Sequence, residues 1–435
     1  MAQTRRPART QEDGGNLWRA STAETVPACP VDSSGTVDLA IIGGGFTGCS
    51  AALEAARQGA SVALFEARTI GHGGSGRNVG LVNAGLWLPP DDIVAAAGEA
   101  AGTKLIKALS DGPAEVFALI DREGIDCEAT RSGTLHLAHG PAGVNDLQNR
   151  FRQGNRLGAP LRLLDTAETA RRTGSTGFHG ALFDPRAGTI QPLSYARGLA
   201  RAAAAAGARI YQQTPVHGIR RDGDMWVVDT GGQAWRARAL LMATNAYHLG
   251  MAGLPAPRLV PVFFSQFATA PLAPEPRARI LTGGEGCWDT ATVMTAFRLD
   301  RAGRLILGSI GDADGPAGPV HARWARRKLR TLFPDLAETP FEYRWSGRIA
   351  MTADHVPKIV ALGPRAMTVF GYSGRGIAPG TVFGRAAARA LLNDDPGQMP
   401  LPVVEGHSER LAALRQVYYE TGAVLWHLAT PRLFT

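Results

Sequence analysis

Val37-Asp-Leu-Ala-Ile-Ile42 runs straight into Gly43-Gly-Gly-Phe-Thr-Gly48, then an alanine-rich stretch from Cys49 to Gln58, then Gly59 and a second apolar run, Ser61-Val-Ala-Leu-Phe65, that ends in Glu66. The first run is short, mostly apolar and rich in β-branched residues, the pattern of a buried parallel strand. The alanine-rich stretch predicts a helix, and Gly59 stands where a helix-terminating glycine belongs. Between them the glycines fit G-x-G-x-x-G: Gly43 for the tight turn, Gly45 so that a pyrophosphate can approach the backbone, Gly48 for close packing of helix on strand. Phe46 and Thr47 lie within this motif, where the unpaired N–H groups of a helix N-terminus offer partial positive charge to phosphates. Glu66, 23 residues after Gly43, can accept hydrogen bonds from both hydroxyls of a ribose, with Ala67 and Arg68 beside it. A 2′-phosphate would be repelled there, so FAD or NAD fits better than NADP. A lone glycine motif is weak; strand, helix and acid in this order make it a dinucleotide-binding unit.

The 435 residues, at roughly 100–200 per domain, predict two or three domains. Hydrophobic residues make up 45% and charged residues 19%, a globular composition that excludes a disordered or fibrous chain. The 53 glycines follow no G-X-Y repeat, so they imply turns, not collagen. No apolar run reaches about 18 residues, so no membrane span is expected. The first 25 residues carry arginines without an apolar core, which fits neither a secretory nor a twin-arginine signal, and residues 1–15 read as a mobile tail. Four separated cysteines, without C-x-x-C, suit a reducing compartment, and no metal site is expected. Cytoplasmic localisation is the expectation. The net charge is +8, but the basic residues are scattered; the densest group, Arg323 to Arg330, has helical spacing and reads as a solvated face, so no nucleic-acid partner is expected.

Beyond the second strand lies Gly71-His-Gly-Gly-Ser-Gly-Arg-Asn-Val-Gly80, a loop that a nicotinamide dehydrogenase does not need. Here the chain resembles FAD-dependent oxidoreductases of the glycine/D-amino-acid oxidase type, and most of all the γ-glutamylputrescine oxidase-like branch, in which an S-G-R-N loop follows the second strand. The resemblance continues through Ala239 to Tyr247, which ends in A-T-N-A-Y, through Trp345-Ser-Gly347 and Asp354-x-x-Pro357, to Gly371-Tyr-Ser-Gly-Arg-Gly-Ile377. It implies FAD as cofactor. It also implies an α/β fold: a discontinuous Rossmann-like FAD-binding domain with an inserted α+β substrate domain built on an antiparallel sheet.

The division expected on that basis is a tail at 1–36, an FAD-binding domain of 37–90, 190–250 and 340–395, a substrate domain of 91–189 and 251–339, and a helical tail at 396–435. Within these, residues 91–123 predict helix broken near Asp111-Gly-Pro113, residues 192–206 a helix, 208–219 one strand, and 225–230 with 234–243 a strand pair. Strands are also expected at 133–138, 260–269, 292–299, 304–310 and 367–370, and a helix at 379–392. Leu411, Leu414, Val417 and Tyr418 have helical spacing and predict a helix packed on the body.

The resemblance implies oxidation of a C–N bond: a hydride passes from the carbon beside a neutral amine to flavin N5, the imine hydrolyses, and O2 reoxidises the flavin with formation of peroxide. The alternatives are a dehydrogenase or one subunit of a multi-chain oxidase that serves another acceptor, a tRNA-modifying flavoprotein, and a non-catalytic FAD scaffold. The partners expected are a small amine and O2 or an electron acceptor; the oligomeric state is open. Residues 258–272, similar to the region where sarcosine oxidases place an oxygen-activating lysine, contain none. Cofactor contacts are expected from Gly43, Gly45, Phe46, Thr47, Gly48, Glu66, Ala67 and Arg68, from Ser75, Gly76, Arg77 and Asn78, from Val216 and Thr244, and from Gly347, Gly374, Arg375, Gly376 and Ile377. Sarcosine oxidases attach flavin to a cysteine whose place is taken here by Gly347, so FAD is expected to be non-covalent; His72 is the other conceivable attachment point. Their carboxylate-gripping lysine is replaced by Ala378. Arg375 or Arg77 can supply that charge instead, and both are candidate catalytic residues together with Tyr372. Trp87, Phe264 and Trp288 are candidate walls, His136 and His139 candidate bases, and Asp354 a support for its turn.

Overall fold

The computed structural model describes residues 15–27, 29 and 34–429. Thr36–Ile42 lies between Ala234–Met242 and Val62–Phe65, all three parallel. Arg209–Tyr211 extends the sheet beyond Val62–Phe65, and Ala366–Phe370 extends it beyond Ala234–Met242, both parallel. Lys358–Gly363 closes the edge as an antiparallel strand. The central strand is buried on both faces. Leu39 and Ile41 pack under the helices Phe46–Arg57, Pro192–Ala205 and Ile377–Asn393, while Ala40 and Ile42 pack with Trp226, Trp235 and Tyr211 beneath a hairpin. That double burial explains the continuous apolar run in the sequence.

The second sheet has eight strands, in the order Phe341–Met351, Val260–Pro271, Arg304–Ile310, Thr295–Leu299, Gly286–Asp289, Thr134–Leu137, Ala181–Asp184, Arg162–Leu164. It is antiparallel except where Gly286–Asp289 meets Thr134–Leu137 in parallel. These two strands come from different insertions, so no hairpin turn dictates their direction. One face packs on the helix Gly318–Leu332 through Leu135, Phe297 and Leu307 against Trp324 and Leu329. The alternating residues His136, Trp288 and Ala296 face the other way, into a cavity. The fold is thus Rossmann-like with a second, mixed sheet. On the helix Gly318–Leu332, Arg323, Arg326 and Arg330 are exposed.

Several expectations change. The strand Phe341–Met351 pairs with Val260–Pro271 along its length, so the segment 340–395 begins in the second sheet. The strand foreseen at 208–219 is interrupted: Arg209–Tyr211 ends where Gln213 takes a positive φ, and Gly218–Asp222 starts a separate hairpin. The tail reading of 1–36 fails at Asn16–Ser21. Leu17–Ser21 is a helix capped by Asn16, and the Trp18 side chain is 0% exposed against Trp345. Residues 1–14 lie outside the described ones. The C-terminal helix forms at Ala412–Ala429, yet Leu411, Leu414, Val417 and Tyr418 are all exposed; Ala423 and His427 are its buried residues. Among the described residues no helix is long and apolar enough to cross a membrane.

Candidate active site

The glycine motif forms the floor of one large cavity of about 680 Å³ between the two sheets. Gly43 has φ +106° and approaches Ala243 so closely that a Cβ would meet its carbonyl oxygen at 2.8 Å. A Cβ on Gly48 would stand 1.9 Å from the carbonyl oxygen of Gly43, so only glycine lets the helix lie against the turn. The helix opens at Phe46 without a side-chain cap on Gly45, and the Phe46 N–H donates to Ser75 Oγ at 3.0 Å. The two Gly-rich loops therefore meet, and a Cβ on Gly45 would fill the space before Ser75.

Glu66 lies on the cavity wall. Its carboxylate accepts from the Gly44 N–H at 2.7 Å and the Arg68 N–H at 2.8 Å. Burial pushes its pKa above the ordinary value against these two bonds. Ala67, Arg68, Val216 and Thr244 line the same end. Asn78 folds the second loop on itself: its Nδ2 donates to the carbonyls of Gly74 and Ser75, and its Oδ1 accepts from the Gly80 N–H.

Tyr372 and the turn Ser373–Ile377 also line the cavity. Tyr372 shares a 2.7 Å hydrogen bond with Thr47, and Asn245, with φ +46°, accepts from the Gly371 N–H at 3.1 Å. The A-T-N-A-Y segment thus ties the third Gly-loop to the sheet. Tyr247 lines the cavity over Gly73, and its hydroxyl accepts from the Arg348 N–H at 2.7 Å. Phe264, Trp288, Ile349 and Met351 supply apolar wall. His136 stacks on Trp288 with centroids 4.7 Å apart, and burial holds its pKa well below the ordinary value, so it stays neutral. The Arg375 guanidinium sits 4.8 Å over the Trp288 ring and donates to the Ala84 carbonyl at 3.0 Å; burial lowers its pKa to about 9.

Four expected contacts do not reach the cavity. Gly48 acts by packing, and Gly76 closes its loop, with Gly71 O 2.2 Å from where a Cβ would stand. Arg77 turns away: Nε donates to His72 O at 2.8 Å and Nη1 to Ser346 O at 2.9 Å, so it clamps the loop. Gly347 faces the Phe264 ring, 2.4 Å from its missing Cβ. His72 lines the cavity but its Nδ1 is bonded to Arg19, and burial with the surrounding arginines lowers its pKa to about 4. His139 does not line the cavity; its ring bonds Thr290, which does. Asp354 supports its turn through the Val356 N–H and Lys358. Trp87, on the rim, meets His355 edge-on.

Two elements escaped the sequence reading. Arg150 lines the cavity from the helix Pro141–Arg156, where it donates to Asp146 at 2.8 Å and to the Trp87 carbonyl. Val144, Leu147 and Phe151 at helical spacing are the signal that marks this helix. The N-terminal segment is the other: Asn16 Nδ2 donates to Gly76 O and Trp18 Nε1 to Asn78 O, bracing the S-G-R-N loop from behind.

A parallel sheet with a glycine turn, an acid on the second strand and a second sheet roofing the cavity defines a dinucleotide-binding flavoprotein. Residues 38–390 match the DAO family of FAD-dependent oxidoreductases, and the chain belongs to that family. It is similar to the probable oxidoreductase OrdL of Rhizobium meliloti (31% identity, 92% of this chain and 95% of that one). It is also similar to the γ-glutamylputrescine oxidoreductase of Escherichia coli (31%, 88% and 90%). Among solved structures it superposes on glycine oxidase from Geobacillus kaustophilus with a TM-score of 0.68 at 22% identity (88% and 98% covered) and on an L-proline dehydrogenase from P. horikoshii with 0.69 at 19% (85% and 98%).

Proposed function

We propose that this FAD-dependent oxidoreductase oxidises the C–N bond of a small amine or amino acid, with FAD held non-covalently along the cavity. One observation carries the reading: a single cavity is lined both by the glycine cradle with Glu66 and by apolar side chains with the partly buried guanidinium of Arg375. The names of the relatives, a γ-glutamylputrescine oxidoreductase and a glycine oxidase among them, point to the same donors. Bound FAD supplies the acceptor for a hydride leaving the carbon next to nitrogen.

In this reading Gly43, Gly45 and the first turn of the helix Phe46–Arg57 hold the pyrophosphate, and Glu66 holds the ribose. Gly374, Gly376 and Ile377, in the turn at the N-terminus of the helix Ile377–Asn393, would offer backbone N–H groups to the electron-rich edge of the ring, while the Arg375 side chain leans toward Trp288. Phe264, Trp288, Ile349 and Met351 exclude water. The positive charges of Arg375 and Arg150 disfavour an ammonium group beside them, which biases a bound amine to its neutral, reactive form. No general base is then required. The parallel sheet with its helices is the FAD-binding domain and the mixed sheet the substrate domain; the four free thiols suit the cytoplasm.

The test is anaerobic mixing of the FAD-loaded protein with polyamines, D- and L-amino acids and N-methyl glycines. Bleaching of the yellow flavin by at least one amine is expected, and bleaching by none would refute the reading. Admission of air with a peroxide assay then separates oxidase from dehydrogenase. The second outcome has its own support, because the strand Val260–Pro271 contains no lysine.

A further inference from the structure

The helix Ala412–Ala429 packs on the body through one side only. Ala412 and Tyr419 lie against Val260, Val262 and Met351 of the second sheet, and His427 stacks on Trp324. Its outer side is apolar. Leu414, Val417, Tyr418, Leu425 and Leu428, with Leu411 on the turn before the helix, are each 57–74% exposed. A surface helix ordinarily turns such a stripe inward. At these exposures the six side chains present on the order of 750 Å². That exceeds the roughly 300–600 Å² of the largest patch on a typical monomer, and approaches the roughly 800 Å² that each partner gives to a stable dimer.

The spacing on this side is that of a helix seam. Leu411, Leu414, Tyr418, Thr421, Leu425 and Leu428 follow one another at intervals of 3, 4, 3, 4 and 3 residues. The series of intervals is the same read from either end. In an antiparallel pair about a two-fold axis, Leu411 would face the partner's Leu428, Leu414 the partner's Leu425, and Tyr418 the partner's Thr421. The largest side chain of the stripe thus meets the smallest, with Gly422 beside it. The charged residues of the helix, Arg415 and Glu420, stand off the seam, Arg415 paired with Glu409 and Glu420 bonded by Gln416. A helix built to lie on a lipid surface carries a strongly basic polar face instead.

We propose that this face is an interface between two copies of the chain, with their C-terminal helices antiparallel along the seam. Thr421 and Gly422 let the helices approach at the centre, and the four leucines close the two ends. The inner side of the same helix gives Tyr419 to the wall of the large cavity, so the pair braces an element of the cavity in each copy. The inference is independent of the reaction carried out there.

The experiment is sedimentation velocity of the FAD-loaded full chain over a series of concentrations, and a species of twice the chain mass is expected. Leu414→Glu and Leu425→Lys, each alone, set an unpaired charge in an apolar seam and should raise the dimer Kd by about a hundredfold with FAD content unchanged. The double variant Leu414→Glu/Leu425→Lys sets Glu against Lys across the antiparallel pair and should restore the Kd to within about tenfold of the wild type. A parallel pair would set like charge against like and show no recovery. Should a single variant lose FAD, Thr421→Trp, which fills the space before the partner's Tyr418 from an exposed position, repeats the disruption. A wild-type chain that stays monomeric at every concentration, or a dimer indifferent to the single variants, would overturn the interface; a double variant without recovery would overturn its antiparallel register. Flotation of a monomeric wild type with phosphatidylglycerol vesicles, aided by the exposed Arg323, Arg326 and Arg330 of the neighbouring helix, would assign the face to lipid and overturn it as well.

Discussion

The indole N–H of Trp345 donates to the carbonyl oxygen of Arg77 at 2.7 Å, so the edge strand of the second sheet holds the backbone of the loop supplied by the first. Trp18 packs edge-on to Trp345 and donates to Asn78 O, one residue along the same loop. Trp345→Phe keeps most of the buried ring and leaves that carbonyl without its donor. The expected loss is about 1–3 kcal/mol of stability. Denaturant unfolding measures it, and FAD retention should fall in parallel, because the loop faces the cavity. Unchanged stability would remove this bond from any bracing role.

Gly48→Ala places a methyl group on a backbone carbonyl, not on a movable side chain. The helix Phe46–Arg57 must shift or the turn must open, and either breaks the cradle. The expected product is a chain that purifies colourless and gains no protection against heat from added FAD. A yellow variant of normal thermal stability would show that the turn has slack.

Glu66→Ala removes the acceptor of two backbone N–H groups together with the proposed ribose contact. FAD affinity is expected to drop by about 1.5–3 kcal/mol, roughly ten- to a hundredfold in Kd. Turnover at saturating FAD should survive, since the change lies at the far end of the cavity. Fluorescence titration of the apoprotein measures Kd, and a turnover collapse at saturating FAD would contradict the assignment.

Acid precipitation should release the flavin into the supernatant. His72 Nδ1 is bonded to Arg19, and Gly347, which carries no thiol, faces a phenyl ring. Gly347→Cys is expected to destabilise the strand without creating a covalent link. Flavin that stays with the wild-type pellet, traced by mass spectrometry of its peptides, would contradict this.

His427 binds the C-terminal helix to the body: its Nδ1 lies 2.7 Å from His321 Nδ1 and its ring stacks on Trp324 at 4.2 Å. Burial, His321, Arg327 and Lys328 lower its pKa to about 3. The unfolded segment takes up a proton near pH 6.5 that the folded one refuses. This contribution is therefore complete above about pH 6.5 and declines as pH falls toward 3, by up to about 2 kcal/mol at about pH 5. Amide-exchange protection factors over 412–429, corrected for the intrinsic exchange rate at each pH, should fall on acidification, and His427→Phe should flatten that response.

Legibility followed the range over which each pattern acts. The strand–glycine–helix–acid unit is local, with its causes inside 30 or so contiguous residues, and the structure places Gly43, Gly45 and Glu66 on one wall. The direction of a long side chain is not local. Arg77 and Arg375 both stand in Gly-rich loops, yet one bonds His72 and Ser346 while the other crosses to Trp288, a choice made by the opposite sheet. The parallel pairing of Thr134–Leu137 with Gly286–Asp289 is likewise invisible to a reading along the chain. Trp18 looked like tail because its partners, Asn78 and Trp345, are distant in sequence. The apolar residues of Ala412–Ala429 followed helical spacing but on the exposed side, which periodicity alone cannot distinguish.

The central strand Thr36–Ile42 pairs on one side with Ala234–Met242, which in turn waits for Ala366–Phe370, and Gly384 must reach Thr47 before the two helices can lock. On a ribosome adding about 5–20 residues per second, these partners emerge tens of seconds apart. The nascent chain therefore exposes its first glycine turn long before the last strand exists to close the sheet. Cofactor loading belongs to the end of synthesis, and a chain stalled before residue 370 has half a cradle and an open sheet edge, the state in which chaperones are needed most.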